Sequence, residues 1–114
     1  MEKQIMEHFI AAWNHEDNSE RHRLLQVSFL ENGSYVDNHS QNKLNSLNEL
    51  HFFINKFRIS VSSNLELIGE PEFHHDNFRF KIKLEATDNS FSESTFVGEF
   101  DKNKIKSVIG FTDN

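Results

Sequence analysis

Apolar positions in the first part of the chain recur at the spacing of helices that bury one side. The first helix should run from about Glu2 to Asn14, with a buried stripe formed by Ile5, Phe9, Ala12 and Trp13. A second helix should begin near Asn18 or Ser19, since either residue can cap it, and its inward positions are Leu24, Leu25, Ser28 and Phe29. We expect Gly33 to end this helical unit.

A third helix has the clearest start signal. Ser46 and Glu49 have the spacing of a capping box, and they precede an apolar stripe of Leu47, Leu50, Ile54 and Phe57. Phe53 and His51 flank this stripe. An isolated histidine on an apolar stripe is commonly a half-buried core residue, which is our expectation for His51, and the alternative is a ligand role.

The remaining segments favour strands. Ser34 to His39 alternates in polarity, so that Tyr35, Asp37 and His39 should share one face. The soft stretch from Thr87 to Ser94 is typical of a hairpin loop and not of a domain linker. We therefore expect one α+β domain over residues 1–114, built from three helices and an antiparallel sheet.

The first predicted hairpin separates aromatic from charged side chains. With Asp76-Asn77 as the turn, the facing pairs are His75 with Phe78, Phe73 with Phe80, Glu72 with Lys81, and Glu70 with Lys83. A shift of one residue would destroy both patterns, which supports this register. Gly69 and Pro71 should mark a bulge or bend, because proline cannot donate to a central ladder.

In the last hairpin, Asp101 to Lys104 should form the loop. The facing pairs are then Phe100 with Ile105, Gly98 with Ser107, Phe96 with Ile109, and Glu99 with Lys106 on the charged side. Gly98 opposite Ser107 leaves room on the inner face, either for a pocket or for a closely packed helix. The predicted inner wall consists of Phe73, Phe78, Phe80, Phe96, Phe100, Ile109 and Phe111.

Composition limits the possible partners. A formal net charge of -6 gives no electrostatic reason to bind nucleic acid or an anionic membrane. The absence of cysteine is consistent with a cytoplasmic location, and the charges near the N-terminus argue against a signal peptide or membrane span. Twelve phenylalanines in an otherwise polar chain must cluster, which favours a pocket for a small, largely apolar molecule.

Three segments resemble those of the nuclear transport factor 2-like superfamily, in its SnoaL-like polyketide cyclase and ketosteroid isomerase branch. They are FIAAWNHED (9–17), LLQVSFLENGSYVDNHS (24–40) and VIGFTDN (108–114), and the similarity spans about Ile5 to Asp113. The resemblance implies a cone, in which a strongly bent sheet and the helices enclose an apolar cavity. It also implies that the backs of two sheets meet in a homodimer, where Val97 and Val108 lie among the charges.

The resemblance implies a general base at Asp37, on the strand after the second helix. The two oxyanion-binding donors of the ketosteroid isomerases do not carry over, because their positions fall near Phe9 and Phe96. Members of this superfamily include isomerases, cyclases, dehydratases and proteins without catalysis, so the function must be argued from the site.

The polar residues of the predicted cavity allow two interpretations. Asp37 could act as an acid-base group together with His39, Tyr35 and, from across the cavity, His75. Alternatively, Asp37 forms an Asx turn at the end of its strand and His39 lies in solvent. The ligand would contact Trp13, Phe53, Phe57, Phe78, Phe80, Phe96 and Phe111.

We expect no metal ion and no other cofactor. Asp37 and His39 could chelate from one strand, but adjacent His74 and His75 should point to opposite faces, and the sequence has no phosphate-binding glycine loop. An enzyme of this type would be a cofactor-independent isomerase, cyclase or dehydratase. The alternative is a non-catalytic module for ligand binding or dimerisation.

Overall fold

The computed structural model describes residues 1–85 and 90–113. Its elements are α1 (Glu2–Asn14), α2 (Asn18–Ser28), β1 (Phe29–Val36), α3 (Leu47–Ser60), β2 (Leu65–His74), β3 (Asn77–Glu85), β4 (Phe91–Asp101) and β5 (Lys104–Asp113). The strands form one curved sheet in the order β1-β5-β4-β3-β2, with β1 and β5 parallel and the other neighbours antiparallel. The predicted α+β architecture is confirmed.

The predicted helices are present, with two corrections at the second one. Asp17 caps α2, because its carboxylate accepts the backbone N–H of Glu20 at 3.0 Å, whereas we expected Asn18 or Ser19. Gly33 does not end the helical unit, since β1 already begins at Phe29 and includes it. The predicted N-cap of α3 is confirmed, since Ser46 Oγ accepts the Glu49 N–H at 3.1 Å. The Glu49 carboxylate accepts the N–H of Asn45 at 3.2 Å, one residue before the position that a capping box uses.

The hairpin of β2 and β3 turns one residue earlier than predicted. His75 and Asp76 both have left-handed backbone angles, with φ of 49° and 65°, and form the two-residue turn. The facing pairs are therefore Phe73 with Phe78 and Glu72 with Arg79. This register differs by two residues from the predicted one, so each side chain keeps its predicted face. The predicted bulge is present between Ile68 and Glu72, where Gly69 has φ of 69°.

A bulge in the last hairpin changes the predicted arrangement of β5. Phe100 faces Ile105 as predicted, but the register then shifts, and Glu99 faces Ser107. Beyond this bulge the facing pairs are Gly98 with Val108, Val97 with Ile109, and Phe96 with Gly110. A shift by one residue moves every following side chain to the other face.

Because of this bulge, the predicted inner wall is wrong for two residues. Ile109 and Phe111 lie on the outer face and are 44% and 55% exposed. Val108, which we expected on the outer face, is 1% exposed and belongs to the core. The other members of the predicted wall are on the concave side, where Phe73 is half-buried and the following are buried: Phe78, Phe80, Phe96 and Phe100.

The predicted loop from Thr87 to Ser94 is only partly testable. Residues 87–89 lie outside the described residues, and the prediction is wrong for its second half because β4 begins at Phe91. In the described part of the chain, no helix is both long and apolar enough to cross a membrane.

Two polar side chains fix the helices to the sheet. The amide of Asn14 donates to the carbonyl of Leu65 at 3.0 Å and accepts the Leu65 N–H at 2.8 Å. The guanidinium of Arg58 donates to the carbonyl oxygens of Trp13, Val61 and Ser63, at 2.8, 2.6 and 2.8 Å. Asn14 thus ties the end of α1 to β2, and Arg58 ties the same end of α1 to α3 and to the segment that follows α3.

Candidate functional site

The helices and the concave face of the sheet surround an apolar cavity of about 280 Å³. Seven aromatic side chains line it: Phe9, Trp13, Tyr35, Phe53, Phe57, Phe80 and Phe96. Aliphatic side chains complete the wall, and the polar lining residues are Asp37, His39, Ser92, Ser94 and Thr112. The volume lies at the lower end of the range for small-molecule sites.

Trp13 is the centre of the aromatic wall. Its ring centroid lies 5.6 Å from that of Tyr35, 6.2 Å from that of Phe53 and 5.3 Å from that of Phe57. These residues come from α1, β1 and α3, so the cluster joins three elements through edge-on and tilted ring contacts. Such a cluster gives the cavity a wall that is already formed.

Asp37 forms an Asx turn and also lines the cavity, so it has a feature of each of the two interpretations of the sequence. Its Oδ1 accepts the backbone N–H groups of His39 at 2.7 Å and Ser40 at 2.8 Å, which forms the Asx turn at the end of β1. Its Oδ2 accepts the hydroxyl of Tyr35 at 2.6 Å. The carboxylate is nevertheless half-buried and lines the cavity, and His39 also lines the cavity although its side chain is largely exposed.

Tyr35 orients this carboxylate. Its side chain is 1% exposed, and burial, followed by the negative charge of Asp37 and the hydrogen bond to it, raises the pKa of Tyr35 well above its ordinary value. The phenol therefore stays protonated at neutral pH and its proton is committed to Asp37. Tyr35 is consequently a positioning residue for Asp37, and its hydroxyl is not a free donor for a ligand.

Three predicted site residues do not line the cavity. His75 is exposed in the turn between β2 and β3, with its Nδ1 at 3.1 Å from Nδ1 of His74. Phe111 lies on the outer face because of the bulge. Phe78 is buried next to Phe80, with ring centroids 5.8 Å apart.

The ring of Phe78 fills the space beside Gly98, where the sequence predicted either a pocket or a closely packed helix. A Cβ at Gly98 would lie 2.5 Å from the ring of Phe78 and 2.0 Å from the carbonyl oxygen of Ser107. The space is therefore filled by an aromatic ring from the neighbouring strand, and neither a pocket nor a helix occupies it.

A polar strip on the sheet side of the cavity was not predicted from the sequence. The hydroxyls of Ser94 and Thr112 are 3.1 Å apart, and Asn38 Oδ1 accepts the Thr112 N–H at 2.8 Å. The second contact ties the turn that contains Asp37 to β5. The alternation of Ser92, Ser94 and Phe96 along β4 was the available signal, because residues two apart on a strand share a face.

Gly110 was missed as well. A Cβ at this position would lie 2.4 Å from Cε1 of Phe96 and 3.1 Å from Cβ of Asp37. Glycine therefore allows the Phe96 ring and the Asp37 side chain to approach β5 closely.

His51 lies outside the cavity and is half-buried, as predicted. Its ring centroid is 4.8 Å from that of His22, and its Nε2 is buried without a hydrogen-bond partner. Burial, followed by the charge that His22 can carry, lowers the pKa of His51. Within the described ranges, no three His, Asp or Glu side chains are placed to hold a metal ion together.

No model of a protein family and no curated protein matches the sequence. Solved structures do match. A protein of the SnoaL-like family from Agrobacterium tumefaciens, provisionally named an isomerase, superposes with a TM-score of 0.86 at 28% identity, over 97% of this chain and 96% of that one.

Two more distant structures share the fold. A provisionally named polyketide cyclase from Sinorhizobium meliloti matches with a TM-score of 0.76 at 12% identity, over 94% and 93% of the two chains. A protein from Catenulispora acidiphila with a ketosteroid isomerase-like fold, in complex with trimethylamine, matches with a TM-score of 0.74 at 11% identity, over 93% and 82%. The resemblance drawn from the sequence is thus confirmed: the chain has the nuclear transport factor 2-like fold of SnoaL-like and ketosteroid isomerase-like proteins.

Proposed function

We propose that this protein binds a small, largely apolar molecule in the aromatic cavity, with Asp37 as the polar group that faces it. The cavity of about 280 Å³ is the observation that carries this proposal, because its wall is formed by seven aromatic side chains and one half-buried carboxylate. Transfer of an apolar ligand into such a wall gains about 25 cal/mol for each Å² removed from water. The trimethylamine complex of the Catenulispora protein supports small-molecule binding by this fold.

Proton transfer by Asp37 is the second candidate function. Its carboxylate is oriented by Tyr35 and lines the cavity beside His39, which is a group that can return a proton. The reaction would be a cofactor-free isomerisation, cyclisation or dehydration. However, Phe9 and Phe96 line the cavity where the ketosteroid isomerases place oxyanion donors, and neither ring can donate a hydrogen bond. The geometry therefore favours binding over catalysis.

A thermal-shift screen tests the binding function. A ligand that binds only the folded protein raises its Tm, and at a hundred times its Kd it stabilises by about 2.7 kcal/mol. The library should contain aromatics, steroids, polyketide-like compounds, fatty acids and alkylamines. We expect at least one class to raise the Tm of the wild type.

A matched pair of variants shows whether the cavity is responsible. Ser94→Leu places a larger side chain into the cavity, whereas Thr95→Leu adds similar bulk to the outer face of the same strand. We expect Ser94→Leu to lose the ligand-induced shift and Thr95→Leu to keep it. The absence of any shift in the wild type would favour the alternative of a dimerisation module, and equal shifts in both variants would show that the ligand binds outside the cavity.

A further inference from the structure

We propose that the ligand of this cavity carries one positive charge on an otherwise apolar body, as a small tertiary or quaternary ammonium compound does. This inference rests on the proposed binding function and assigns its ligand class. Three observations carry it: the charges that line the cavity, the rings around Asp37, and the hydrogen bonds that Asp37 already makes.

In the part of the chain that the structure describes, the side chains that line the cavity include a carboxylate but no lysine or arginine. Among the described lining residues, Asp37 is the one carboxylate, Tyr35 stays neutral, no lysine or arginine takes part, and the one histidine, His39, has a largely exposed side chain. The guanidinium of Arg58 lies over the ring of Phe57 at 5.4 Å, but it donates to three backbone carbonyls and does not line the cavity. A ligand anion would thus meet an uncompensated carboxylate, and a ligand cation would be attracted to it.

Aromatic side chains line the cavity next to Asp37. The rings of Trp13, Tyr35 and Phe53 pack against one another with centroid separations of 5.6, 6.2 and 5.9 Å, and all three line the cavity. The Tyr35 hydroxyl contacts Asp37, so this cluster and the carboxylate are adjacent. Cations are attracted to aromatic rings, most strongly to tryptophan, and quaternary ammonium ligands are commonly bound next to such side chains.

The hydrogen bonds that Asp37 already makes favour a cationic ligand over a neutral polar one. A carboxylate offers about four acceptor positions. Tyr35, His39 and Ser40 already occupy three of them. Little capacity remains for the hydroxyl or amide donors of a neutral ligand, whereas a quaternary ammonium group has no N–H and needs no acceptor position, and a tertiary ammonium group needs one.

A pair of ligands of equal shape tests this inference. Choline and 3,3-dimethylbutan-1-ol differ in the positive charge, since a nitrogen in one replaces a carbon in the other. Isothermal titration calorimetry at low salt should show choline binding about tenfold or more tightly to the wild type, which is the size of effect that a desolvated cation-π contact with a nearby carboxylate gives.

Two variants with the same loss of charge show where the preference originates. Asp37→Asn should reduce the preference for choline about threefold or more, to what the aromatic rings alone supply, while the affinity for the neutral alcohol changes less than about threefold, because asparagine keeps the shape and the Oδ1 acceptor. Asp76→Asn removes an equal charge from the exposed turn between β2 and β3 and should leave the preference intact. Circular dichroism and the Tm show whether each variant is folded.

Three outcomes overturn the inference. Equal affinity of the wild type for the two compounds, or failure of both to bind while neutral ligands from the thermal-shift screen do bind, contradicts the charge preference and leaves the binding function standing. A preference that is undiminished in Asp37→Asn contradicts the assignment to this carboxylate. If neither compound binds and the whole screen also gives no shift, the proposed function itself fails.

Discussion

At the scale of single residues, Asp37 serves the fold and the cavity with different oxygen atoms. Oδ1 closes the Asx turn that ends β1, and Oδ2 holds the hydroxyl of Tyr35 at the cavity wall. Strand alternation predicted the cavity face of Tyr35. However, β1 ends at Val36, so Asp37 and His39 reach the cavity from the turn that follows and not from the predicted strand. The turn itself follows from the tendency of aspartate to accept backbone N–H groups two and three residues ahead.

We predict that Asp37→Asn separates proton transfer from binding. Asparagine can keep the two Oδ1 contacts and can donate from Nδ2 to the Tyr35 oxygen, so the fold should persist. If Asp37 is a base, deuterium uptake from D₂O by a bound ketone should fall about 10²-fold or more, as followed by NMR. Retention within about threefold would show that Asp37 does not transfer the proton.

The sequence alone predicted the positions of some other cavity residues but not that of His75. Trp13, Phe53 and Phe57 could be placed in the cavity because helical spacing shows which side of α1 and α3 is apolar. His75 could not, since its position depends on which two residues accept left-handed backbone angles in the turn. Local propensity does not distinguish His75-Asp76 from Asp76-Asn77 well enough, because aspartate and asparagine both tolerate that conformation.

At the scale of elements, the two hairpins show what strand alternation can and cannot determine. The error in the hairpin of β2 and β3 was two residues, which preserves every face, so the predicted aromatic wall of β3 was correct for Phe78 and Phe80. The error in β5 was one residue. Val108 and Ile109 are adjacent and both apolar, so the sequence of β5 fits either face equally well.

Close approach of β4 and β5 is the feature that selects the observed register. Gly110 faces Phe96 and Gly98 faces Val108, so each glycine receives a ring where a side chain would clash. In the predicted register, Ile109 would have faced Phe96, and no glycine would lie where the Phe96 ring approaches β5. Packing volume, which no local pattern encodes, therefore decided the faces of β5.

We predict that alanine at the two glycines has different consequences. At Gly98 the added methyl group meets a backbone carbonyl at 2.0 Å, which cannot rotate away, whereas at Gly110 the closest contact is a phenylalanine ring at 2.4 Å. Urea unfolding should show that Gly98→Ala lowers the free energy of unfolding more than Gly110→Ala does. Each substitution should lower it by about 1 kcal/mol or more, since overpacking typically costs about 1–3 kcal/mol.

The ligand affinities should rank in the opposite order. Gly110 contacts Phe96 and Asp37, which both line the cavity, whereas Gly98 does not line it. Calorimetry with any ligand from the screen should therefore show weaker binding to Gly110→Ala and little change for folded Gly98→Ala. Weaker binding to both, or to Gly98→Ala alone, would contradict the assigned shape of the cavity.

At the scale of the whole molecule, the bulge in β5 gives the outer face of the sheet an apolar centre. Val36, Ile109 and Val97 lie side by side on β1, β5 and β4, and Phe111 lies one row away beside Thr95. Toward β2 the same face becomes charged, where Arg79 makes a bidentate contact with Glu72 at 2.8 and 2.9 Å. An apolar centre with a polar rim is the usual composition of a protein interface.

We propose that this outer face forms a homodimer, and we predict that Ile109 and Phe111 are its central contacts. Both side chains are about half exposed in the single chain, and a two-fold axis through the patch would bring each copy against the same surface of the other. A stable contact of this type buries roughly 800 Å² on each partner. Light scattering at micromolar concentration should give a mass of about twice the 13.4 kDa of one chain.

Substitution of single residues shows whether the patch holds the two copies together. Ile109→Lys or Phe111→Lys would bury a charge without a partner in the interface, so each should give the monomer mass. Ile59→Lys adds the same charge on α3, where the side chain is 86% exposed, and should leave the dimer unchanged. A monomeric wild type, or a dimer that persists in both lysine variants of β5, would show that the copies do not associate through this face. In the second case the exposed surface of α3 would be the next place to look, because Phe52 and Ile59 form its large apolar side chains.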